Sequence, residues 1–573
     1  MTKPAKKKQN KIGKQKELNI FSAKIIFSVA LIILAVVISY HPALDAGFTN
    51  WDDDKYILNN SDILHVSKAN IQKFFSESYM GNYHPLTMLS YAVDHDVAKL
   101  RPGQYHFTNI LFHAFNSLLV FWLVLVLMKR WECAFMAGLL FAVHTLHVES
   151  VAWVSERKDV LYAFFYFLSL IFYVNYVKRK RALLYIAALL IFILSVLSKG
   201  MAVTLCLTLI AIDFYLGRNL KSKTVILEKI PFVIIAFVMG LVAIHSQQIN
   251  ASNEKFLNLF SIGQRIVIGG YGFIEYIFKL VLPVQLSHFY PYPSTNGTLP
   301  LKCYIYFFIF LAFAFCLAYA FIKKKISKDI LFCFLFFLIA VFPVLQIFPV
   351  GEAIMADRYI YVASAGFFIF AGSMVESVFK TNYSKVIYFS LITLYAVLLI
   401  SFTRERCKVW KNSISLWDDM IIKYPAVPLA YNNRGIAKAD AMKFDDAIAD
   451  YRKAIAIDST FFKAYYNMGL SKYQTRKLDE AIDHFNQAIK LDPDNPNYYS
   501  DKGLAESELK NNEAAMRDYE KAIALDKKFH RAYYNMGVLK FNTGKNAEAC
   551  DYFFKAKEFG NKDAQGIIEK YCR

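Results

Sequence analysis

The sequence lacks the features that mark several common classes of protein. Its eight cysteines include no Cys-x-x-Cys pair, and several lie in apolar stretches where a thiol behaves as a small buried side chain. Only Cys550 and Cys572 could pair, and only in an oxidising compartment. No motif that reads nucleic-acid bases accompanies the net charge of +20, which argues against a nucleic-acid partner. Ionisable residues are scarce in the centres of the apolar stretches, which disfavours a transporter.

The chain has instead an excess of hydrophobic residues, and they are concentrated in one part of it. Of its 573 residues, 56% are hydrophobic and 16% are aromatic, whereas soluble proteins average about 45–50% apolar residues. Almost all the long apolar runs lie before residue 404. We therefore predict an all-α protein with four parts: a basic cytoplasmic tail (1–19), a polytopic membrane domain (20–403), a connecting helix or half-repeat (404–427) and a soluble repeat array (428–573).

The apolar runs predict about eleven membrane spans. Residues 263–283 are not counted because Arg265, Glu275 and Lys279 make this segment a poor spanning helix, so we expect it to lie in the interface or to re-enter. Basic linkers mark the cytoplasmic side of a membrane protein. We therefore expect the N-terminus on the cytoplasmic side of a bacterial inner membrane and the repeats on its external side. The first span lacks a small-residue cleavage site and is expected to be retained. The predicted spans are 20–40, 104–128, 131–147, 157–177, 182–198, 200–217, 229–246, 302–322, 329–349, 358–378 and 384–403.

After residue 427 the sequence repeats every 34 positions. Gly435, Gly469, Gly503 and Gly537 mark one small position, and alanines and aromatic residues recur at the same interval. This is the tetratricopeptide pattern, in which small residues let two antiparallel helices approach and aromatic rings fill the space between repeats. We predict repeats that start near 428, 462, 496 and 530 and that bind a protein or peptide in their concave groove. A purely supporting role for the array is the alternative.

Adjacent carboxylates, Asp52 and Asp53, follow the first span on the expected outer side. Two carboxylates in an aqueous loop can bind a divalent cation such as Mg²⁺ or Mn²⁺, or one of them can take the proton of an acceptor hydroxyl. Aspartates that only cap a short helix are the alternative. The position of the pair at a membrane face favours chemistry.

A second polar group is formed by histidines near the second span. His84 precedes a proline, and His106 and His113 share a helix face with Asn109. Because no carboxylate lies in register with them, we favour hydrogen bonds to backbone or to a lipid phosphate over metal ligation.

Several cations lie at the expected outer ends of spans, contrary to the rule that Lys and Arg are concentrated on the cytoplasmic side of membrane proteins. Arg157 and Lys158 lie close to His147, Glu149 and Asp159, and Lys199 and Arg358 share this outer position. Outward-facing cations near acids are candidate phosphate ligands. Salt-bridged or snorkelling side chains are the alternative for each of them.

These motifs resemble those of the transmembrane and tetratricopeptide-repeat-containing O-mannosyltransferases and their bacterial relatives. Residues 48–60 resemble their first external loop, and residues 144–159 resemble their second, with Thr145 in place of the expected proline. The segment 357–361 resembles their Glu-Arg-Tyr-Leu-Tyr motif, with aspartate in place of glutamate. Lys199 is followed by glycine rather than by the usual glutamate, so that loop lacks an acid.

The resemblance implies a GT-C type membrane glycosyltransferase followed by a tetratricopeptide α-solenoid. Such an enzyme moves a sugar, here mannose or another hexose, with inversion from a polyprenyl-phosphate donor to a hydroxyl acceptor on a protein outside the membrane. By this resemblance, Asp52 and Asp53 are the catalytic or metal-binding acids. The expected donor-phosphate ligands are Arg157, Lys158, Lys199, Arg358, His84 and His106, and the residues expected to support the acceptor loop are His147, Glu149 and Asp159.

Two other functions compete with this interpretation. A lipid-linked oligosaccharide ligase or polymerase also combines many spans with C-terminal repeats, but it usually carries a large external loop late in the membrane domain, and the corresponding loop 350–357 is short. A non-enzymatic membrane scaffold would use its repeats to recruit partners. It does not account for outward-facing cations opposite an acidic pair.

Overall fold

A computed structural model describes residues 22–248, 259–293, 297–348, 351, 353–377 and 381–572. The predicted all-α fold is confirmed, since two short strands accompany the helices in these ranges. The helices of the membrane part are α1 Ala23–Tyr40, α2 Lys68–Ser76, α3 Pro85–Ala98, α4 Pro102–Met128, α5 Trp131–Val143, α6 Val148–Ala152, α7 Arg157–Arg179, α8 Ala182–Ser198, α9 Leu205–Tyr215, α10 Lys223–Leu227, α11 Ile230–Gln248, α12 Ile262–Val281, α13 Leu301–Ile322, α14 Lys328–Val341, α15 Ser364–Ser377 and α16 Asn382–Val409.

Within the described ranges, six helical segments are long and apolar enough to cross a membrane by length and composition, and a seventh candidate is the pair formed by α5 and the segment Thr145–Ala152, bent by 51°. Three shorter apolar segments, Ala182–Ser198, Gly200–Tyr215 and Ser364–Val375, also coincide with predicted spans. The helix α14, with 14 residues, is shorter than a spanning helix requires. The six long segments are Ala23–Asp45, Pro102–Met128, Val154–Arg179, Lys223–Gln247, Leu301–Ile322 and Asn382–Val409.

The doubtful segment 263–283 forms one continuous helix, α12. A capping box at Ser261 and Gln264 starts it, and it packs along α13. Gly270 allows this approach, because a Cβ there would lie 2.6 Å from the Phe307 ring. Among the described helices, α12 does not meet the criterion for a span. Its expected interfacial or re-entrant position stays a prediction.

Several helices break where polar residues meet. The helix α5 ends at Val143 and gives way to short turns up to Glu156, and α8 ends at Ser198, one residue before Lys199. Strand β1, Tyr290–Pro291, pairs antiparallel with β2, Ala353–Met355, and β2 leads directly into the turn Asp357–Ile360. Irregular backbone at membrane depth is tolerated where it is buried in protein or lines a polar cavity. These breaks bring distant parts of the chain to one polar cluster.

The repeat array follows the last membrane helix without a flexible linker. After α16 ends at Val409, α17 occupies Ser413–Lys423, and four helix pairs and a final helix follow. These are α18 Pro428–Asp440, α19 Phe444–Ile457, α20 Phe462–Gln474, α21 Leu478–Leu491, α22 Pro496–Glu508, α23 Asn512–Leu525, α24 His530–Asn542, α25 Asn546–Glu558 and α26 Asp563–Tyr571.

The repeated glycines have the predicted packing role. A Cβ on Gly435 would lie 2.5 Å from the ring of Tyr451, and one on Gly469 would lie 2.6 Å from the ring of Phe485. At these positions only glycine lets the aromatic ring of the second helix reach the first helix. The final helix is tied to the last pair by a disulfide between Cys550 and Cys572, the two cysteines that the sequence singles out.

Candidate functional site

The candidate site is a charged cluster made by the broken helices of the membrane part. Glu156 ends a short turn before α7, Lys158 lies in the first turn of α7, Lys199 follows the end of α8, and Arg358 lies in the turn after β2. Each of these segments supplies one charged side chain at a point where a helix starts or stops. The fold therefore gathers residues that are up to about two hundred positions apart in the sequence.

The Glu156 carboxylate is the centre of this cluster. Its Oε1 lies 3.2 Å from the Nζ of Lys158 and 3.2 Å from the Nε of Arg358, and its Oε2 lies 3.3 Å from the Nζ of Lys199. Glu156 is buried, with 1% of its surface exposed. A single buried carboxylate thus holds three cations of the predicted phosphate-binding set together.

Two further acids lie beneath the same cations. The Oδ1 of Asp159 lies 2.6 Å from the Nζ of Lys199, and Glu149 accepts hydrogen bonds from the backbone N–H of Arg358 at 3.0 Å and from its guanidinium. The side chains of Lys158, Lys199 and Arg358 are 10%, 15% and 16% exposed, whereas those of the acids are at most 2% exposed. The accessible rim of the cluster is therefore cationic, which suits a phosphate.

Asp52 is the carboxylate of the first loop that remains available. It is half-buried, and its side chain accepts no hydrogen bond from any described residue. Burial raises its pKa to about 6, and the nearby Lys158 and Lys55 oppose this rise. A carboxylate with this pKa is ionised at neutral pH and is a stronger base than an ordinary aspartate.

Asp53 has a different position from its neighbour. Its Oδ2 accepts from the N–H and the hydroxyl of Thr49 at 2.8 and 3.0 Å, and its Oδ1 accepts from the N–H and the hydroxyl of Ser155 at 2.9 and 2.5 Å. The side chain is buried, which raises its pKa, while these hydrogen bonds oppose that rise. Both oxygens are occupied, so Asp53 joins the first loop to the second loop rather than reaching a substrate.

We expect Asp53→Asn to disrupt the loop itself. Asparagine would turn an NH₂ group toward the donors of Thr49 or Ser155, leaving buried donors without acceptors at a cost of about 1–3 kcal/mol each. Limited proteolysis of the first loop, together with sugar-donor binding, checks this expectation. A variant whose loop stays protected while only turnover is lost would contradict the anchoring role.

A divalent cation held by Asp52 and Asp53 does not fit these residues. Both oxygens of Asp53 are engaged by four donors, which leaves Asp52 as the single available carboxylate of the pair. Across the described ranges, no group of three or more His, Cys, Asp or Glu residues is arranged to hold a metal ion. We therefore derive no step through a metal.

Arg157 is not part of the accessible rim. Its fully buried guanidinium lies 2.7 Å from Asp94, donates to the carbonyl oxygen of Tyr105 at 2.9 Å and also contacts Asn109. Although it is the neighbour of Lys158, it points into the protein and holds α3 and α4 against α7. This arrangement removes Arg157 from the phosphate-binding set that we propose.

The two histidines predicted to bind the donor phosphate, His84 and His106, lie in different surroundings. His84 lies against Tyr56, with ring centroids 5.4 Å apart, and burial together with nearby Lys158 lowers its pKa to about 3. It is therefore a neutral member of the cluster. His106 is buried against the backbone of Ala46, Gly47 and Ala152, away from the rim.

Two other histidines of the sequence prediction, His113 and His147, form hydrogen bonds within the protein. His147 contacts the carbonyl oxygen of Phe141 at 2.9 Å and the hydroxyl of Ser364 at 2.8 Å. His113 contacts the Tyr361 hydroxyl at 2.7 Å. These rings hold the broken helices together, and His147 thereby supports the segment that carries Glu149.

An aromatic cluster joins the site to the repeat array. The Trp417 ring of α17 lies 5.2 Å from Trp51 and 4.9 Å from His288, and its Nε1 donates to the Oδ1 of Asn50 at 2.7 Å. Trp153 lies beside this cluster and beneath Arg358, whose guanidinium is 5.5 Å from its ring. The first loop is thus fixed between the membrane part and the array.

Sequence reasoning missed two of these residues as members of the site. Glu156 lies in the sequence next to Arg157 and Lys158, and this group of opposite charges at the start of an apolar helix was a usable signal. His288 lies in the segment between α12 and α13, where nothing in the local sequence indicates its packing between Trp51 and Trp417. Glu156 and Asp159 also supply the acidic partners of Lys199 that the following glycine cannot provide.

Fold and site together define a polytopic helical membrane protein with a charged cluster at broken helices and a C-terminal tetratricopeptide array. Models of the tetratricopeptide repeat match residues 462–495 and 530–559, and a TPR repeat model matches residues 443–476 and 503–544. The predicted resemblance to the transmembrane and tetratricopeptide-repeat-containing O-mannosyltransferases is confirmed by named relatives to which the chain is similar, and the chain spans less than two thirds of their length.

The chain is similar to parts of several known proteins. Protein O-mannosyl-transferase F38B6.6 of Caenorhabditis elegans is 25% identical over 459 residues, which is 76% of this chain and 63% of that protein. Protein O-mannosyl-transferase TMTC3 of Mus musculus is 33% identical over 162 residues, or 26% of this chain and 17% of that protein. The crystal structure of MamA matches 26% of this chain and 89% of that chain, with 28% identity and a TM-score of 0.25.

Proposed function

We propose that the protein is a membrane glycosyltransferase that moves a hexose from a polyprenyl-phosphate donor to a hydroxyl group of a protein. The observation that carries the proposal is the placement of Asp52, an unengaged carboxylate with a raised pKa, beside Lys158 of the cationic rim. A base for an acceptor and cations for a phosphate thus lie side by side. The names of the relatives support transfer of mannose to protein.

In the proposed reaction, Lys158, Lys199 and Arg358 bind the phosphate of the donor. The acceptor hydroxyl attacks the anomeric carbon from the side opposite the phosphate, and Asp52 takes its proton. One carbon–oxygen bond forms as the sugar–phosphate bond breaks, and the electron pair leaves on a phosphate oxygen that the cations stabilise. A single displacement inverts the anomeric centre and leaves the proton on Asp52.

The proposed location of the reaction is the external face of the membrane. The disulfide between Cys550 and Cys572 supports this location, because such bonds persist in oxidising compartments. The α17 helix holds the array next to the first loop, so the array and the site lie on the same side. The basic linkers of the sequence support an N-terminus on the opposite, cytoplasmic side of the membrane.

The proposal is tested by sugar transfer in vesicles that contain the purified protein and a labelled polyprenyl-phosphate hexose. We expect transfer from polyprenyl-phosphate mannose to a serine- and threonine-containing polypeptide, and none from the corresponding nucleotide sugar. Transfer should persist in a chelator, since the residues present do not form a metal site. Strict dependence on Mg²⁺ or Mn²⁺ would contradict the metal-free mechanism. A protein that binds polypeptide but transfers no hexose from any donor would be a scaffold.

A further inference from the structure

The chain that leads from the last membrane helix into the repeat array runs alongside the start of the first loop. The carbonyl oxygen of Lys411, between α16 and α17, accepts a hydrogen bond from the backbone N–H of Gly47 at 2.9 Å. The hydroxyl of Ser413, the first residue of α17, accepts one from the backbone N–H of Asn50 at 2.9 Å. The backbone of the loop is therefore held by the base of the array as far as Asn50.

The side chain of Asn50 is also held by the array, at both of its polar ends. Its Oδ1 accepts a hydrogen bond from the indole Nε1 of Trp417 in α17 at 2.7 Å, and its Nδ2 donates to the carbonyl oxygen of Asn433 in α18 at 2.8 Å. An asparagine side chain offers one accepting oxygen and one donating nitrogen. Because each of them has a partner in a different helix of the array, the position and the orientation of Asn50 are both fixed.

The two residues after Asn50 are fixed as well. The ring of Trp51 packs against that of Trp417, with centroids 5.2 Å apart. The backbone carbonyl oxygen of Asp52 accepts hydrogen bonds from the N–H groups of Lys55 and Tyr56, both at 3.0 Å. The loop thus passes from contacts with the array directly into a tight turn that begins at Asp52.

The carboxylate of Asp52 is the free part of an otherwise fixed residue. On one side of it Asn50 is bonded to the array, and on the other side Asp53 is bonded to Ser155. The Asp52 side chain itself accepts no hydrogen bond from the part of the chain that the structure describes. A catalytic group needs supporting contacts that hold it to within about 0.5 Å, and a displacement of about 1 Å can cost about 10²-fold in rate.

We propose that Asn50 is a positioning residue, through which the repeat array holds the Asp52 carboxylate in place for sugar transfer. The proposal rests on the proposed function, in which Asp52 takes the proton of the acceptor hydroxyl. It makes the array necessary for transfer to every acceptor, including one that is too short to reach the repeats. An array that served only to bind polypeptide would leave transfer to a short acceptor unchanged.

The first test compares Asn50→Ala with a matched control in the full-length protein. Asn50→Ala removes both side-chain bonds to the array and keeps the backbone bond to Ser413. We expect kcat to fall about 10–100-fold for a long unfolded acceptor and for a threonine-containing tripeptide alike, with each KM within about twofold of the wild type. The control is Asn535→Ala, which removes a hydrogen bond of the same kind, to the Ser500 hydroxyl, within the array and should keep the wild-type kcat.

The pH dependence of transfer separates positioning from a general loss of stability. The charged groups nearest to Asp52 are Lys158, Lys55, Glu156 and Asp53. Burial raises the pKa of Asp52 to about 6, and a displaced, less buried carboxylate has a lower pKa. The acidic limb of the rate profile should therefore lie at lower pH in Asn50→Ala than in the wild type. A protein that is merely less stable would lose rate without moving this limb.

A second variant, Trp417→Phe, tests the same hydrogen bond from the array side. It removes the indole N–H and keeps an aromatic ring against Trp51. Since both changes break one shared bond, the double variant Asn50→Ala/Trp417→Phe should lose less kcat than the product of the two single losses. Losses that multiply fully would show that the two residues act independently, which contradicts the proposal.

Hydrogen exchange provides a readout that needs neither donor nor transfer. In Asn50→Ala the backbone amides of residues 51–56 should exchange at least about tenfold faster than in the wild type, because the loop opens more often. The amides of α20 and α22 should exchange at the wild-type rate, which shows that the array is still folded. Asn535→Ala should leave the exchange of residues 51–56 unchanged.

These measurements separate the positioning role from the proposed function. Wild-type exchange of residues 51–56 in folded Asn50→Ala, or a wild-type kcat with an unmoved acidic limb, would overturn the positioning role. A loss confined to the KM of the long acceptor would do the same, since the array would then act only in binding polypeptide. If the wild type transfers no sugar, the proposed function fails, and hydrogen exchange still decides whether the array holds the loop of Asp52.

Discussion

Asp52→Asn is expected to lower sugar transfer by about 10²–10⁴-fold, the range that a positioned general base contributes. Asparagine has nearly the same shape but cannot take the proton of the acceptor hydroxyl. Because no described residue donates a hydrogen bond to Asp52, its replacement should cost little stability. Donor binding should persist, since Lys158, Lys199 and Arg358 keep their other acidic partners.

The matched control is Asp54→Asn, which removes an equal charge from the same loop without altering the proposed base. This variant should transfer sugar at close to the rate of the wild type. Equal losses in both variants would mean that the loop needs its overall negative charge, and normal transfer by Asp52→Asn would place the base elsewhere.

The same carboxylate predicts the pH dependence of the wild type. Burial raises the pKa of Asp52 to about 6, so the base is protonated and transfer is lost as the pH falls through this value. Above it the rate should reach a plateau. The residual activity of Asp52→Asn should lack this acidic limb.

The different environments of Asp52 and Asp53 could not have been predicted from their sequence. The two residues are identical neighbours, and their roles differ because the loop turns one side chain toward Ser155 and leaves the other beside Lys158. Their roles are separated only by the position of the second loop, whose residue Ser155 lies in the short turn before α7. The sequence can indicate an acidic pair but not which member is engaged.

The cations were more predictable, for a physical reason. Lys158, Lys199 and Arg358 lie at ends of apolar helices that the sequence predicts to face outward, where the rule that basic residues mark the cytoplasmic side gives no reason for cations. Arg157 satisfies the same criterion, yet it faces Asp94 in the interior. Consecutive residues of an α-helix point about 100° apart, so one residue of this pair reaches the rim and the other does not.

The repeat array was predictable because its signal is periodic. The 34-residue interval between Gly435 and its equivalents predicts helix pairs independently of the sequence of the membrane part. The docking of the array on the membrane part depends instead on Trp417, Asn50 and His288. These contacts join segments more than a hundred residues apart, and no local pattern encodes them.

Arg358→Gln is expected to weaken donor binding by about 10–100-fold, which corresponds to the loss of a charge-assisted hydrogen bond worth about 1.5–3 kcal/mol. The same change leaves Glu149 without its cation. Breaking a buried ion pair by removing one partner costs about 3–5 kcal/mol of stability. Loss of transfer alone therefore cannot separate a donor-binding role from a structural one.

The double variant Arg358→Gln/Glu149→Gln makes this separation. It removes both charges of the pair, so it should recover much of the lost stability, because a hydrogen-bonded neutral pair carries no unpaired buried charge. Donor binding, measured as the Kd for a labelled polyprenyl phosphate, should stay weak because the rim still lacks Arg358. Thermal unfolding in detergent provides the stability readout. Recovery of donor binding together with stability would show that Arg358 only holds Glu149, and the phosphate would then be bound by Lys158 and Lys199 alone.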